Sequence, residues 1–384
     1  MKSSLNILLI CKTMPWQFKG GIQTHTWELA KALSQANHKV SVLTGGPFRS
    51  TEIKTQKEGV EIISLPYFPG RYIKPISFAA EEISFNVSVR KWVKSNHNDY
   101  DIIHAQGRSG YLLFGLKGIS KKLLNTVHGL VELENSHLKW HDMNNLTHRF
   151  FAKRFESKLL NTSKINISVS ESLKGQMKAH RSKKALIEVI PNGVSTHFEK
   201  SATQLNGLSR FLFVGRLHPV KGVTAIIEHL HFAPANICID IIGDGSERTK
   251  IESIIKLNGL ENRVRLLGEH SNDKVHEVLP YYRALILPSQ YETQGIVLLE
   301  ANAHAIPVIA SDIPAIRETI ENHYNGLLCD PNQPMEFIKA MEYMTEKPEI
   351  AREMGEKGME RVRSSYGWNS IAERTIDTYY KLAQ

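Results

Sequence analysis

Cysteine is scarce in this chain. Its three copies in 384 residues, Cys11, Cys238 and Cys329, each stand alone inside an apolar, strand-like run, with no pair at metal-ligand spacing. That excludes a disulfide framework or a zinc module and fits reduced core thiols in a cytoplasmic protein. Long hydrophobic runs are missing as well: no apolar stretch reaches the roughly 18 residues of a membrane span. The opening MKSSLNILLICK has an apolar run too short for a secretory core, and Lys12 follows it with no small-residue cleavage site, so it reads as a first β-strand. Signs of disorder are lacking, since 41% hydrophobic and 23% charged residues are ordinary for a folded soluble protein. Nor is there a recognition-helix motif, an aromatic RNA-binding signature or a zinc finger, so nucleic acid is not expected as a partner. What remains is a chain too long for one core and of a length that suits two domains.

The charge that is present is unevenly placed. Residues 1–190 hold 28 Lys and Arg against 14 Asp and Glu, or +14; the whole chain holds 48 against 39, which leaves 20 against 25, or −5, for the rest. A half so basic is either a solvated face or the docking side for a polyanion, for which an anionic membrane surface or a phosphate-bearing acceptor is suited. Within it, RFFAKRFESKLL over 149–160 sets Phe150, Phe151, Phe155 and Leu159 at helical spacing among cations. Interfacial helices and core-packing helices share that pattern.

Two sets of short apolar segments alternate with helical ones. LNILLIC, KVSVLT, VEIISL, DIIHA, LLNTVH, INISVS and LIEVI form the first, interleaved with helical stretches such as IQTHTWELAKALSQ; FLFVG, ICIDIIG, RVRLLG, ALILPS, PVIAS and NGLLCD form the second. Near-continuous apolar strands predict parallel sheets covered on both faces. The fold class is therefore α/β, with two doubly wound, Rossmann-like domains. The Pro, Asn, Gly and Ser of IPNGVSTHFEKSATQLNGLSR mark a linker over 191–208, which makes 1–190 the N-terminal domain and 209–366 the C-terminal one. Ligands of open parallel sheets collect beyond the carboxyl ends of the strands, so the two domains are expected to turn those loops toward a shared cleft.

The loops at these strand ends supply the candidate chemistry. Glu300 interrupts the apolar run GIVLLEANA, and a buried carboxylate costs several kcal/mol unless something hydrogen-bonds it. It is either paired with a core cation or placed for a ligand. Glu292 precedes it with seven residues between them. FLFVGRLHPVKGV places Arg216 and Lys221 between an apolar strand and a helix opened by Gly222, where cations and free backbone N–H groups make an anion site. QGIVLLEA starts another helix at Gly295 and Ile296, with Glu300 about one and a half turns inside. Gly20 and Gly21 precede a helix after the first strand, where their amides can approach a phosphate or sugar. His128 ends a strand in TVHG, either as a structural loop residue or as a hydrogen-bond partner for a ligand. Trp16, Phe18, Phe68 and Tyr72 lie in first-domain loops, for sugar stacking or for ordinary packing.

The order and spacing of GGIQTH, DIIHAQ, TVHG, VSESL, IPNGV, FVGRLHPVKG, IIGDGSE, RVRLLGEH, LPSQYETQGIVLLEANAHAIPVIASDIPAIRE and NGLLCDP resemble glycosyltransferase family 4 over essentially the whole chain. SSYGWNSIAERTIDTYYKL is similar to the family's last helix, which returns to the first domain as residues 367–384. The resemblance implies a GT-B fold and retaining transfer of a sugar from a nucleotide-sugar donor, UDP- or GDP-linked. The implied acceptor is a glycan or a lipid-linked molecule, as in cell-surface polysaccharide or glycolipid synthesis. The resemblance assigns Arg216 and Lys221 to the donor diphosphate, Glu300 to the ribose, Glu292 to the donor sugar's hydroxyls and His128 to the sugar near its reacting face. Gly20, Gly21 and the amides around Gly295 and Ile296 complete the phosphate and sugar contacts, and Gly243 and Gly245 of IIGDGSE are placed beside the base. Pre-placed cations at the departing oxyanion leave no need for a metal. The one Asp-x-Asp, Asp99-Tyr100-Asp101, runs straight into the strand IIHA and is not read as a metal site. No cofactor is expected beyond the donor substrate, and the basic half suggests peripheral attachment at the inner face of a membrane.

Three positions depart from the family pattern. Gln294 replaces the aromatic after Glu292, Ala305 behind His304 replaces the glycine before IPVIAS, and Asn37 replaces a glycine at what reads as a surface position. A phosphorylase would need a pyridoxal lysine in a context this chain lacks. A Rossmann oxidoreductase would need G-x-G-x-x-G after the first strand, which CKTMPWQFKGG does not supply. A non-catalytic nucleotide-sugar-binding protein on the same fold is the alternative that Arg216, Lys221 and Glu300 would also satisfy.

Overall fold

The computed structural model describes residues 4–18, 20–70, 77–130, 143–180, 185–196 and 209–383. They form two compact units, Met1–Gly193 with Trp368–Gln384 and Val194–Gly367. Most of the segment expected as a linker, 197–208, lies outside the described residues.

The first unit is built on β1 (Asn6–Ile10), β2 (Lys39–Gly46), β3 (Ile53–Lys57), β4 (Val60–Pro66), β5 (Ile102–Gln106), β6 (Leu123–Val127), β7 (Ile165–Ser168) and β8 (Leu186–Val189). Their spatial order is β3-β4-β2-β1-β5-β6-β7-β8. All neighbours pair in parallel except β3, which lies antiparallel on β4. The strand β3, IKTQK, is exposed at every residue and was not among the expected strands, because it has no apolar alternation to read.

Alternation along β1 shows why the other strands are apolar throughout. Ile7 and Leu9 pack with Trp27, Leu29 and Leu33 of the helix Gly21–Gln35 and with Ile371, Ile376, Tyr379 and Leu382 of the C-terminal helix Trp368–Ala383. Leu8 and Ile10 point the other way, into Phe85, Val89 and Val93 of the helix Ser77–Asn96. Successive strand side chains point to opposite faces, so a sheet with helices on both sides must be apolar at both. Each fully buried Leu or Ile contributes roughly 1.5–3 kcal/mol. That is how the C-terminal helix is held to the first unit although about 170 residues of the second intervene.

The second unit has β9 (Ser209–Val214), β10 (Ile237–Ile242), β11 (Val264–Gly268), β12 (Ala284–Leu287), β13 (Val308–Ser311) and β14 (Gly326–Cys329), all parallel, in the order β11-β10-β9-β12-β13-β14. One core, from Phe211 and Phe213 of β9 to Phe337 and Met341 of the helix Pro334–Glu346, spans this unit. Cys11, Cys238 and Cys329 are free thiols buried in the strands or just after them.

Candidate functional site

In the second unit the strand order reverses between β9 and β12, and doubly wound sheets bind ligands at such a switch point. The loop after β9 carries Arg216 and Lys221. The loop after β12 carries Glu292 and runs into the helix Ile296–Ala303, which carries Glu300. Three contacts brace the two loops. Gly222, at φ 69°, sits so close to Pro288 that an added Cβ would fall 2.0 Å from its carbonyl oxygen. The Gln290 N–H donates to the Val220 carbonyl at 2.8 Å. Lys221 Nζ meets Glu292 Oε1 at 2.6 Å, with side chains only 20% and 12% exposed. Such shielding strengthens the attraction and raises the desolvation cost together, so the contact is read as fixing the two loops rather than as a source of stability.

The buried Ser289 hydroxyl donates to the same Glu292 Oε1 at 2.8 Å. Glu292 Oε2 therefore accepts nothing among the described residues, and one carboxylate oxygen is left to receive a ligand hydroxyl. The Arg216 side chain is exposed and makes no hydrogen bond or ion pair among the described residues. Its backbone is held instead. The Leu217 N–H donates to the Asp244 carbonyl at 2.9 Å, and Gly243, at φ 136°, approaches Gly215 so closely that a Cβ would lie 2.0 Å from its oxygen. This backbone approach accounts for the GDG sequence: it fixes the loop that presents Arg216.

Glu300 has no Arg or Lys partner among the described residues. Its side chain is 14% exposed, its nearest basic group is His276, with Nε2 4.0 Å from Oε1, and Asn272 hydrogen-bonds it. Burial pushes the carboxyl up to about 7, against the lowering effect of Asn272. His276 Nδ1 lies 3.0 Å from His304 Nε2. Burial keeps both imidazoles uncharged at neutral pH, His304 falling to about 4. Gly295, at φ 78°, begins the Glu300 helix with no side-chain cap, so the first-turn amides around Ile296 are not taken by a capping side chain. Gln294 is buried at the position where an aromatic was expected. Asn37 (φ 66°) and Ala305 (φ 58°) both occupy left-handed backbone, which is why glycine is the usual residue at such places. Asn37 was expected to matter little as a surface change; it is exposed, and it is also the left-handed residue that ends the helix Gly21–Gln35.

In the first unit, Gly20 precedes the helix Gly21–Gln35 in extended backbone (φ −174°) that any residue adopts, and the Gln23 amide fills the space beside it. His128 follows β6, its Nε2 3.0 Å from Gln106 Oε1. Burial drops its pKa to about 4, opposed by a hydrogen bond with Asn192, so the ring is neutral at pH 7. His25 packs edge-on at 4.8 Å between ring centres and is itself held uncharged by burial. Trp16 and Phe18 are 47% and 61% exposed, with the Lys57 ammonium 4.4 Å over the Trp16 ring. Phe68 packs against Phe48, and Tyr72 lies outside the described residues. In the helix Met143–Thr162, Leu159 is buried and Phe155 packs beside it in the core. For these two residues core packing replaces the interfacial reading, and the side chains of Phe150 and Phe151 lie outside the description. Asp101 of the Asp-x-Asp accepts the Asn6 N–H at 2.8 Å, a structural use.

Several polar groups near these residues were not singled out from the sequence: His104, Gln106, Thr126, Tyr379, Ser289, Asn272 and His276. For His104 and Gln106 a signal existed. They stand two apart in DIIHAQ, on one face of an otherwise apolar strand.

The chain matches the family described as Glycosyltransferase Family 4 over residues 19–198 and that described as Glycosyl transferases group 1 over 196–361. It is 29% identical to an uncharacterized glycosyltransferase of Methanocaldococcus jannaschii, covering 96% of each chain. Among solved structures it is similar to sucrose-phosphate synthase from Thermosynechococcus elongatus, with a TM-score of 0.83 at 22% identity over 98% of this chain and 99% of that one. It is also similar to Anabaena HepE in complex with UDP and glucose, with a TM-score of 0.75 at 19% identity over 97% and 99%. These likenesses show the GT-B fold of two Rossmann-like units. With two adjoining family matches that together run from residue 19 to 361, on sheets of the expected topology, the chain belongs to glycosyltransferase family 4.

Proposed function

We propose that this protein is a retaining, metal-independent glycosyltransferase that moves a hexose from a nucleotide-sugar donor to a glycan or lipid-linked acceptor. The observation that carries the reading is the placement of Arg216, Lys221 and Glu292 on two braced loops at one switch point, with Glu300 on the helix that follows the second loop. Cleavage of the anomeric C–O bond sends its electron pair to a phosphate oxygen and leaves positive charge on the sugar. Arg216 and Lys221 answer the first with charge already in place, the kind of preorganised stabilisation whose loss costs about 10²- to 10³-fold in rate. Lys221 is kept from wandering by Glu292, and Glu292 Oε2 is assigned to a hydroxyl of the donor sugar. Glu300, as a carboxylate, is assigned to both hydroxyls of the ribose. His128, neutral at pH 7, is assigned to the reacting face of the sugar as a hydrogen-bonding rather than a charged group. The acceptor hydroxyl attacks on the face the phosphate leaves, and its proton passes to the departing phosphate oxygen.

HepE, similar in fold, was solved with UDP and glucose, which makes UDP-glucose the first donor to try. Release of nucleoside diphosphate from a panel of UDP- and GDP-sugars, with candidate acceptors, is expected from the wild type. It should fall about 10²-fold or more in Arg216→Ala, and Glu300→Ala should weaken nucleotide binding. Tight binding without release under any acceptor, or equal release by all three proteins, would overturn the assignment.

A further inference from the structure

A continuous chain of hydrogen bonds crosses the first unit from the C-terminal helix to His128. The Tyr379 hydroxyl lies 2.7 Å from His104 Nδ1. His104 Nε2 lies 2.6 Å from Thr126 Oγ1 and 3.2 Å from Gln106 Nε2. Gln106 Oε1 lies 3.0 Å from His128 Nε2. Tyr379, His104, Thr126 and Gln106 are all at most 1% exposed. No member is charged at pH 7, since burial holds His104 at about 3 and raises Tyr379.

A primary amide has one end that donates and one that accepts. Placed between two imidazole Nε2 atoms, it needs a lone pair on one ring nitrogen and a proton on the other. The two rings it joins must therefore be opposite tautomers. With the amide oriented as in the structure, Gln106 Oε1 accepts from His128, which carries its proton on Nε2, while His104 carries its own on Nδ1, toward Tyr379, and its one Nε2 lone pair is shared by the Thr126 hydroxyl and the more distant Gln106 amide. Turning the amide over exchanges both assignments and preserves the opposition. Burial of His104, Thr126 and Gln106 keeps water from satisfying them in some other way, so a wrong tautomer would strand a buried donor or acceptor.

We propose that Gln106 is a positioning residue that sets the tautomer of His128, opposite to that of His104, with Tyr379 and Thr126 orienting His104 at the far end of the relay. The assignment of His128 to the sugar rests on the proposed function; the tautomer relay does not. What the relay does for that reaction is to decide in advance the hydrogen-bonding sense of His128 Nδ1, the ring nitrogen that Gln106 does not hold and that faces Asn192. The titratable neighbours of His128 among the described residues are His25 from the helix Gly21–Gln35 and His104 from β5, both neutral, with the uncharged Asn192 beside them.

Long-range ¹⁵N–¹H spectra of the free protein, with the two rings identified by His104→Asn and His128→Asn, read the tautomers directly. Wild type is expected to show one ring protonated on Nδ1 and the other on Nε2. Gln106→Met should leave His128 as an averaged mixture, and Gln106→Glu, which puts a carboxylate beside the ring, should raise the midpoint of its titration by about one pH unit or more. Tyr379→Phe, which keeps the packing and removes only the hydroxyl, should disturb both rings. In the transfer assay, Gln106→Met should lower kcat about tenfold or more while the donor KM stays within about twofold, as expected for misorientation of a group that acts on the reacting atoms. Like tautomers in the wild type, or a His128 spectrum unchanged in both Gln106→Met and Tyr379→Phe, would overturn the proposal. The spectra need no turnover, so a relay confirmed in a protein that releases no nucleotide would sink the transferase reading alone.

Discussion

The two units put opposite kinds of polarity in their interiors, and in each case the interior contradicts the bulk charge. The first unit belongs to the basic half of the sequence, yet its buried polar centre is an uncharged chain of Tyr379, His104, Gln106 and His128. The second belongs to the acidic half, yet it brings Arg216 and Lys221 to its switch point and buries Asp240 among cations. Asp240, fully buried in β10, takes Arg210 of β9 at 2.9 Å, Arg265 of β11 through both carboxylate oxygens, and the Tyr282 hydroxyl at 2.8 Å. Net charge is thus a property of surfaces, set by residues that water screens. Site chemistry is decided by the few groups that strand ends and strand interiors shield from it. An interior of charges has to be matched charge for charge, whereas an interior of neutral amides and imidazoles has to be matched donor for acceptor.

If that contrast is right, cutting each network once should have unequal cost. Asp240→Ala leaves Arg210 and the half-exposed Arg265 without their carboxylate and is expected to destabilise the second unit by about 3 kcal/mol, the low end for a broken buried pair because water reaches both guanidinium groups. Tyr379→Phe strands one neutral ring nitrogen, His104 Nδ1, and should cost the first unit less, about 1–3 kcal/mol. Urea titrations followed by a probe in each unit read both values, and equal costs would dissolve the distinction.

The units also separate by pH. Glu300 at about 7 is raised above its ordinary value of 4.5, so the unfolded chain ionises first and the second unit loses stability as pH climbs from about 4.5 through 7. Binding runs the other way. Only the carboxylate form accepts two ribose hydroxyls, so affinity for UDP should rise about tenfold between pH 6 and pH 8 and then level off. Glu300→Gln should flatten the rise. His128 and His104, at about 4 and 3, stay neutral over that whole range, so these two rings should add nothing to the profile. A flat wild-type profile by calorimetry would remove Glu300 from the nucleotide site.

The smallest expected change concerns Ala305, left-handed at φ 58° where the family pattern has glycine. Ala305→Gly should stabilise the second unit by up to about 1 kcal/mol through relief of that strain, partly offset by the freer unfolded chain. A lower urea midpoint for the variant would show that the side chain's packing outweighs the strain.

Thirteen of the fourteen strands among the described residues were legible as apolar runs, because a sheet covered on both faces writes its burial into every residue of a strand. β3 was not, since an exposed edge strand carries no such mark. Arg216, Lys221, Glu292 and Glu300 were legible as charged or acidic interruptions at the ends of apolar segments, and Gly222 and Gly295 as helix openings. What sequence alone could not state is who pairs with whom. Lys221 and Glu292 are 71 residues apart, and Tyr379 is 275 residues from His104. Neither periodicity nor propensity carries information over such distances.

The chain's own residues thus determined the sheets and the two-unit plan, which follow from local patterns of burial, and the family, which follows from the order and spacing of its motifs. Only the tertiary structure decided that Glu300 has no cationic partner among the described residues, that Glu292 keeps one oxygen unengaged, and that His128 is governed by a glutamine. Hydrogen bonds and ion pairs depend on distances of a few tenths of an ångström, and those exist only after the packing of remote segments has set them.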